Sequence, residues 1–300
     1  MKKINTLVLF LAASLLASFT AQGQERYLDF VFNDVEVTSG LSYGENATIL
    51  FAPTVGEAVP EKLLMDLYQP VGDTESERPM VLLLHTGNFL PIVQNGGLQG
   101  ERTDSSVVEL ATRLARMGYV AVSMDYRLGW NPLADLQSDR TLTLLQAAYR
   151  GIQDIRTAIR YFKQDVVENG NTYGVDTSRI VVWGVGTGGY ASLAAATLDD
   201  FTKVATASNP QGKFLIPNPL DPNQQIPMVL PPINGDINGL GVGILPVAQG
   251  GLPAGDTLNY PNHEGYSSNF QLCVNMGGAL GDISWLEAGQ VPTISFQVPT

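Results

Sequence analysis

Hydrophobic and polar positions along this chain change period several times, and each change predicts an element. Met80 to Leu84 is a continuous apolar run of the kind found in strands covered on both faces, and Tyr119 to Met124 is a second. Leu63-Leu-Met-Asp-Leu-Tyr68 is a further strand, closed by Gln69-Pro70. Between the two apolar runs a helix fits Ser105 to Met117. Its apolar face is Leu110, Leu114 and Met117, Asp104 or Ser105 can cap it, and Gly118 stops it. The strongest helical pattern follows: Leu145, Ala148, Ile152, Ile155, Ile159, Phe162 and Val166 recur at threes and fours until Gly170. Arg150, Arg156, Arg160 and Lys163 fall mostly off that stripe, which predicts a solvated face.

Near the start, from Arg26 to Pro53, the pattern Leu28 to Val37 suggests strands. After Asp200 the regularity stops, and residues 209–262 are rich in Pro, Gly and Asn. A segment of that length without its own elements is usually a lid, a binding loop or an insertion. Order returns with Gln271 to Met276, a short Ser284–Leu286 segment, and a strand over Val291 to Val298.

From Met80 to Leu198 the succession is strand, helix, strand, helix, strand, turn, helix. It specifies an α/β domain with a mostly parallel, doubly wound sheet. The turn is the informative place. A β-branched run from Ile180 to Trp183 ends in a burst of glycines, and an alanine-rich helical segment begins at once. Open α/β sheets put their chemistry at the carboxyl ends of strands. Two motifs compete for this turn. In the nucleophile elbow, Gly-x-Ser-x-Gly, a sharp turn presents a serine above the sheet. The five positions here are Gly184, Val185, Gly186, Thr187 and Gly188, so the serine slot holds Gly186. The dinucleotide fingerprint Gly-x-Gly-x-x-Gly is met formally by Gly184, Gly186 and Gly189. Such a turn should open the first βαβ unit and be followed by a strand ending in an acidic residue about 20 positions on. The nearest acidic residues, Asp199 and Asp200, close a helix instead.

Composition narrows the classes. Three hundred residues, 44% of them hydrophobic, suit one globular domain. A formal net charge of -12 argues against nucleic acid as a partner, because sequence-independent binding needs a basic footprint. Lys2 and Lys3, the apolar run Leu7 to Phe19, and Thr20-Ala-Gln-Gly23 follow the plan of a secretory signal peptide. Residues 1–23 are therefore expected to be removed, leaving a single domain over 24–300 that is secreted or periplasmic and has no membrane span. Cys273 is the lone cysteine, so no intramolecular disulfide can form, and it is expected to be a small buried hydrophobe. Asp125, Asp154, Asp199 and Asp200 show no metal-ligand spacing. Neither a metal nor a cofactor is expected. Oligomeric state leaves no trace.

Several segments together resemble one family, the α/β-hydrolase carboxylesterases, in particular the secreted feruloyl- and acetyl-esterase-like branch. They are Met65-Asp-Leu-Tyr-Gln-Pro70, Pro79-Met-Val-Leu-Leu-Leu-His-Thr-Gly-Asn-Phe89, Gly118-Tyr-Val-Ala-Val-Ser-Met-Asp-Tyr-Arg-Leu128, Asp154-Ile-Arg-Thr-Ala-Ile-Arg-Tyr-Phe162, Asp176 through Gly189, and Gly277 through Trp285. The order agrees over roughly residues 60 to 200. The resemblance implies an α/β-hydrolase fold. It also implies an oxyanion hole for a tetrahedral intermediate, built from Thr86 and Gly87 after His85 together with the N–H of Thr187. In the resemblance His85-Thr86-Gly87 corresponds to a His-Gly-Gly loop, with Thr86 in place of a glycine, and His85 would be structural, fixing that loop. The nucleophile falls on Gly186, which cannot attack a carbonyl. Thr187 is the fallback, although a hydroxyl there is expected to cap the helix.

In the family the acid and the histidine follow later strands. Here the sequence ends just after the strand that should deliver the acid, so the sheet reads as truncated at its C-terminal end and the chain as a fragment. His263 lies in the wrong place in the order and is expected to be a solvated loop residue; Ser105, Ser178 and Ser192 are expected to be caps or surface serines. The leading expectation is a degenerate hydrolase that binds a small ester, a glycan or a peptide, or serves as a structural domain. An active ester hydrolase, using Thr187 or an acid and histidine beyond residue 300, is the second. A nucleotide-binding oxidoreductase is the third. Phe89, Trp130 and Tyr190 are candidates to line the site or to pack the core, and the 209–262 segment is expected to overhang the cleft.

Overall fold

The computed structural model describes residues 24–218 and 221–297; the expected signal peptide and the last residues, Val298 to Thr300, lie outside them. Among the described residues the central sheet has seven strands. They are β1 (Val35–Thr48), β2 (Val59–Pro70), β3 (Arg78–Leu84), β4 (Val120–Met124), β5 (Val175–Val185), β6 (Leu272–Met276) and β7 (Thr293–Phe296). Across the sheet they run β1-β2-β4-β3-β5-β6-β7. β2 is antiparallel to both neighbours, and every other pairing is parallel. Three long helices flank the sheet: α1 (Ser105–Arg116), α2 (Gln137–Glu168) and α3 (Thr187–Thr197). This is a mostly parallel α/β-hydrolase sheet.

The apolar run of β3 shows why the sheet is covered twice. Met80, Leu82 and Leu84 join the large core beneath α2 and α3, whereas Val81 and Leu83 face Val107, Ala111 and Ala115 of α1. Alternate side chains of one strand thus feed two cores. Each fully buried side chain of this size contributes roughly 1.5–3 kcal/mol. Cys273 is free and buried in the same large core.

Several expectations need correction. The strand expected between Arg26 and Pro53 is present as Val35–Thr48, but it starts later than the pattern, with residues 28–34 outside any strand. Asp104 stands at the N-cap of α1 but makes no cap bond there, because its carboxylate accepts the N–H of Gly100 in the preceding loop. Ser192 is neither cap nor surface: it is fully buried, and its hydroxyl donates to the Gly189 carbonyl.

The largest departure concerns α2. Its predicted apolar stripe is present, but every residue from 151 to 160 is buried, so the arginines do not form a solvated face. The cause is the 209–262 segment, which lies along the helix. This segment has short elements of its own, a hairpin of Leu215–Asn218 with Asp221–Pro227 and a pairing of Gly243–Ile244 with Thr257–Asn259. Arg156 donates to the carbonyls of Ile237 (3.1 Å) and Leu198 (2.8 Å) and to the Asn238 side chain (3.0 Å). Arg160 donates to the carbonyls of Asn238 (2.6 Å) and Asn262 (3.1 Å). Arg150 donates to the Gly129 carbonyl. Lys163 is half-buried and donates to the Asn269 carbonyl at 2.8 Å. A guanidinium offers five donors in a planar fork, so ordinary carbonyls can satisfy it when they converge. Burial pushes Arg150 down to about 9 and Arg156 and Arg160 to about 10, so all three stay charged at neutral pH. Arg127 is different. It is paired with Asp154 at 2.9 Å, and both side chains are fully buried.

Candidate active site

Position 186 is the apex of the bend between β5 and α3. Gly186 has φ 56° and ψ -116°, a conformation that costs a side-chain-bearing residue free energy, and α3 starts at the next residue. Its N–H donates to the Met276 carbonyl at 2.8 Å, tying the apex to the end of β6. The neighbouring glycines allow backbone to approach backbone. A Cβ on Gly184 would fall 1.9 Å from the Gly188 carbonyl oxygen, and one on Gly188 would fall 2.5 Å from the Leu84 carbonyl oxygen. The packing of strand against helix accounts for these glycines without any phosphate.

The slot where a nucleophile would stand is filled from the other side. A Cβ on Gly186 would lie 2.2 Å from Thr86 Oγ1 and 2.8 Å from Thr86 Cβ. Gly186 lacks the side chain that the elbow normally carries, and Thr86 carries one where the resembling loops have glycine. The missing volume at one residue is thus taken up by the other.

This exchange alters the anion-binding donors. The Thr187 N–H donates to Thr86 Oγ1 at 3.3 Å, and the Thr187 hydroxyl accepts the Asn88 N–H at 2.8 Å. The two threonine hydroxyls lie 3.3 Å apart. Thr187 therefore does not cap its helix, contrary to expectation; its oxygen braces the β3 loop. Asn88 and Phe89 hold positive φ values of 59° and 54°, and Trp130 Nε1 donates to the Asn88 carbonyl at 2.7 Å. Gly87, with φ 118°, presses against Gly100, leaving only 2.6 Å between a Cβ there and Gly100 Cα. Most of the polar groups around the apex are satisfied by one another.

Neither histidine reaches the apex. His85 is fully buried, stacked on Tyr126 with ring centroids 4.4 Å apart, and its Nδ1 lies 2.6 Å from the Thr86 carbonyl oxygen. That contact fits a proton on Nδ1. Nε2 has no hydrogen-bond partner and stands 3.9 Å from Asp125. Burial lowers the His85 pKa, outweighing the attraction of Asp125, so the ring is neutral and supports the loop. The Tyr126 hydroxyl donates to the His85 carbonyl at 2.8 Å and completes that support. His263 is not a solvated loop residue. It is half-buried between β1 and α2, with Nε2 2.7 Å from the Tyr43 carbonyl oxygen and Nδ1 against Gln164.

Above the apex opens a cleft of about 780 Å³, within the usual range for small-molecule sites. Thr187 and Asn88 lie at its polar end, and its walls include Phe89, Trp130, Phe214 and Trp285. Tyr190 stands beside the apex, 45% exposed. Phe214 and Val229 bring the 209–262 segment into the wall, as the sequence led us to expect. Among the described residues no charged side chain lines the cleft. None of them forms a cluster of three or more histidine, cysteine or carboxylate groups able to hold a metal. No helix among them is long and apolar enough to cross a membrane.

Sequence reasoning missed two parts of this site. Trp285 packs on Phe214 with centroids 5.6 Å apart, and only the short Gly277–Trp285 resemblance pointed near it. The space-filling role of Thr86 had a signal in the paired departures at 86 and 186, but no distance in the sequence joined them.

An elbow-type turn beneath a cleft, on a sheet of this order, defines an α/β-hydrolase domain. The BD-FAE family model matches residues 65–216, just over half of the chain, and the chain belongs to that esterase family. No curated protein matches it. Among solved structures, esterase B from Lactobacillus rhamnosis with a C6-C4 SN3 inhibitor is 19% identical, covering 69% of this chain and 50% of that one at a TM-score of 0.35. Thermogutta terrifontis esterase 2 phosphorylated by paraoxon is 15% identical, covering 91% and 73% at a TM-score of 0.44. A truncated carbohydrate esterase from gut microbiota is 13% identical, covering 85% and 60% at a TM-score of 0.36. The chain spans about half the length of the esterase B structures.

Proposed function

We propose that this domain is a non-hydrolytic member of its esterase family, which retains the cleft as a binding site within an exported protein. The observation that carries this reading is the apex itself. Residue 186 has the elbow conformation and no side chain, and Thr86 occupies the space in which a nucleophile would be anchored. Acyl-enzyme chemistry then lacks its first atom. Thr187 is a poor substitute, since its hydroxyl is held by the Asn88 N–H and, among the described residues, no histidine, carboxylate, lysine or arginine lines the cleft to act as its base. Export rests on the Lys2-Lys3 and Leu7–Phe19 pattern.

The test is hydrolysis of 4-nitrophenyl acetate by the purified chain, in the longest form encoded. The expected rate equals that of buffer, with no change in Thr187→Val. Turnover by the native protein that disappears in Thr187→Val would overturn the reading.

A further inference from the structure

Esterase clefts release a carboxylate, so a cleft that has stopped cleaving raises a question of charge. Resting on the non-hydrolytic reading above, we infer that this cleft takes uncharged, largely apolar ligands in preference to their carboxylate counterparts, and that Thr86 sets the preference. A carboxylate brought into an apolar cleft loses hydration worth several kcal/mol unless a cation or converging N–H groups replace it.

No cationic side chain lines the cleft among the described residues, and one of the N–H groups implied for an oxyanion hole is already taken. The N–H of Thr187, which would face a developing oxyanion, is spent on Thr86 Oγ1. The Trp130 Nε1–H at the same end is spent on the Asn88 carbonyl. Lys213, next to the Phe214 wall, is paired with Asp282 at 2.7 Å and donates to the carbonyls of Asn209 (2.8 Å) and Gly281 (2.6 Å). Arg150 is buried and turned to Gly129. The remaining polar groups of the wall, such as the Asn88 and Gln94 amides and the Tyr190 hydroxyl, are neutral. They suit an ester or ketone carbonyl, whose desolvation costs far less. The net charge of -12 adds long-range repulsion of anions.

The cleft volume exceeds what a small acyl group needs, and its aromatic walls suit an aryl or alkyl body. Thr86 links these facts. Its side chain both fills the slot left by Gly186 and takes up the Thr187 N–H, one of the donors implied for an oxyanion.

The experiment uses a matched pair that cannot be hydrolysed: 5-phenylpentan-2-one and 4-phenylbutanoate, which differ by a methyl group in place of a charged oxygen. Tryptophan fluorescence reads binding, because Trp130 and Trp285 line the cleft and Trp183 does not. We expect the ketone to bind at least tenfold more tightly than the carboxylate at pH 7.5. Thr86→Gly and Thr86→Ala, which free the Thr187 N–H, should narrow that gap at least threefold by tightening carboxylate binding. Thr86→Val, which removes the acceptor of the Thr187 N–H but keeps bulk beside it, should narrow the gap less than Thr86→Ala does. Equal or tighter binding of the carboxylate, no binding of the ketone, or an unchanged gap in both the glycine and alanine variants would each overturn the inference. If the shortened variants fail to fold, the native protein's preference still decides. Methyl 4-phenylbutanoate, run alongside, separates the two claims: its hydrolysis would defeat the non-hydrolytic reading and leave the ketone and carboxylate comparison intact.

Discussion

The bend at Gly186 and the outer face of α2 solve the same problem with different kinds of partner. Both satisfy polar groups within the protein, at the bend beside an open cleft and on α2 in the buried interior. At the bend the partners are close in space and come from two adjacent turns: Thr86, Asn88 and Thr187 bond among themselves. On α2 the partners are about as distant along the chain, but they lie in a segment with no regular pattern, where Arg160 reaches Asn262 and Arg156 reaches Ile237. The bend can therefore be understood from two short motifs. The helix face cannot be understood until the segment covering it is known. A group's chemical type states what it needs, and the fold alone states what supplies it.

The sharpest way to break the comparison is at the fully buried ion pair of Arg127 and Asp154. Arg127→Ala takes from the buried Asp154 carboxylate its hydrogen-bonded counter-charge, leaving only the more distant Arg150, and the expected loss of stability is about 3–5 kcal/mol. A urea midpoint measurement reads it. A loss below about 1 kcal/mol would mean that water reaches this part of α2.

At the bend, Gly186→Ala places a Cβ 2.2 Å from Thr86 Oγ1 in a backbone conformation that disfavours it, and should cost about 2 kcal/mol. Combining it with Thr86→Gly should recover about 1 kcal/mol or more, because the two sites share one volume. Strict additivity in the double-mutant cycle would show that Thr86 does not fill the slot.

The smallest effect is a pH slope. Burial lowers the pKa of both His85 and His263. Below about pH 6.5 the unfolded chain takes up protons that the folded histidines refuse, so stability falls as pH falls, by at most about 1.4 kcal/mol per unit for each. His85→Gln should make the stability curve shallower between pH 6.5 and 5.5, and an unaltered slope would mean that His85 is protonated in the fold.

The sequence by itself determined the succession of strands and helices from β3 to α3, since an apolar run or a period near four is a local property that packing only has to accept. It also determined that position 186 carries no nucleophile, because no fold can add an atom that the residue lacks. Tertiary structure alone decided where the arginines of α2 go, what His263 touches, and that the side chain of Thr86 stands in the space above Gly186. Those are meetings of residues between about 20 and 220 positions apart, brought about by the burial of the whole sheet rather than by any preference of the residues themselves.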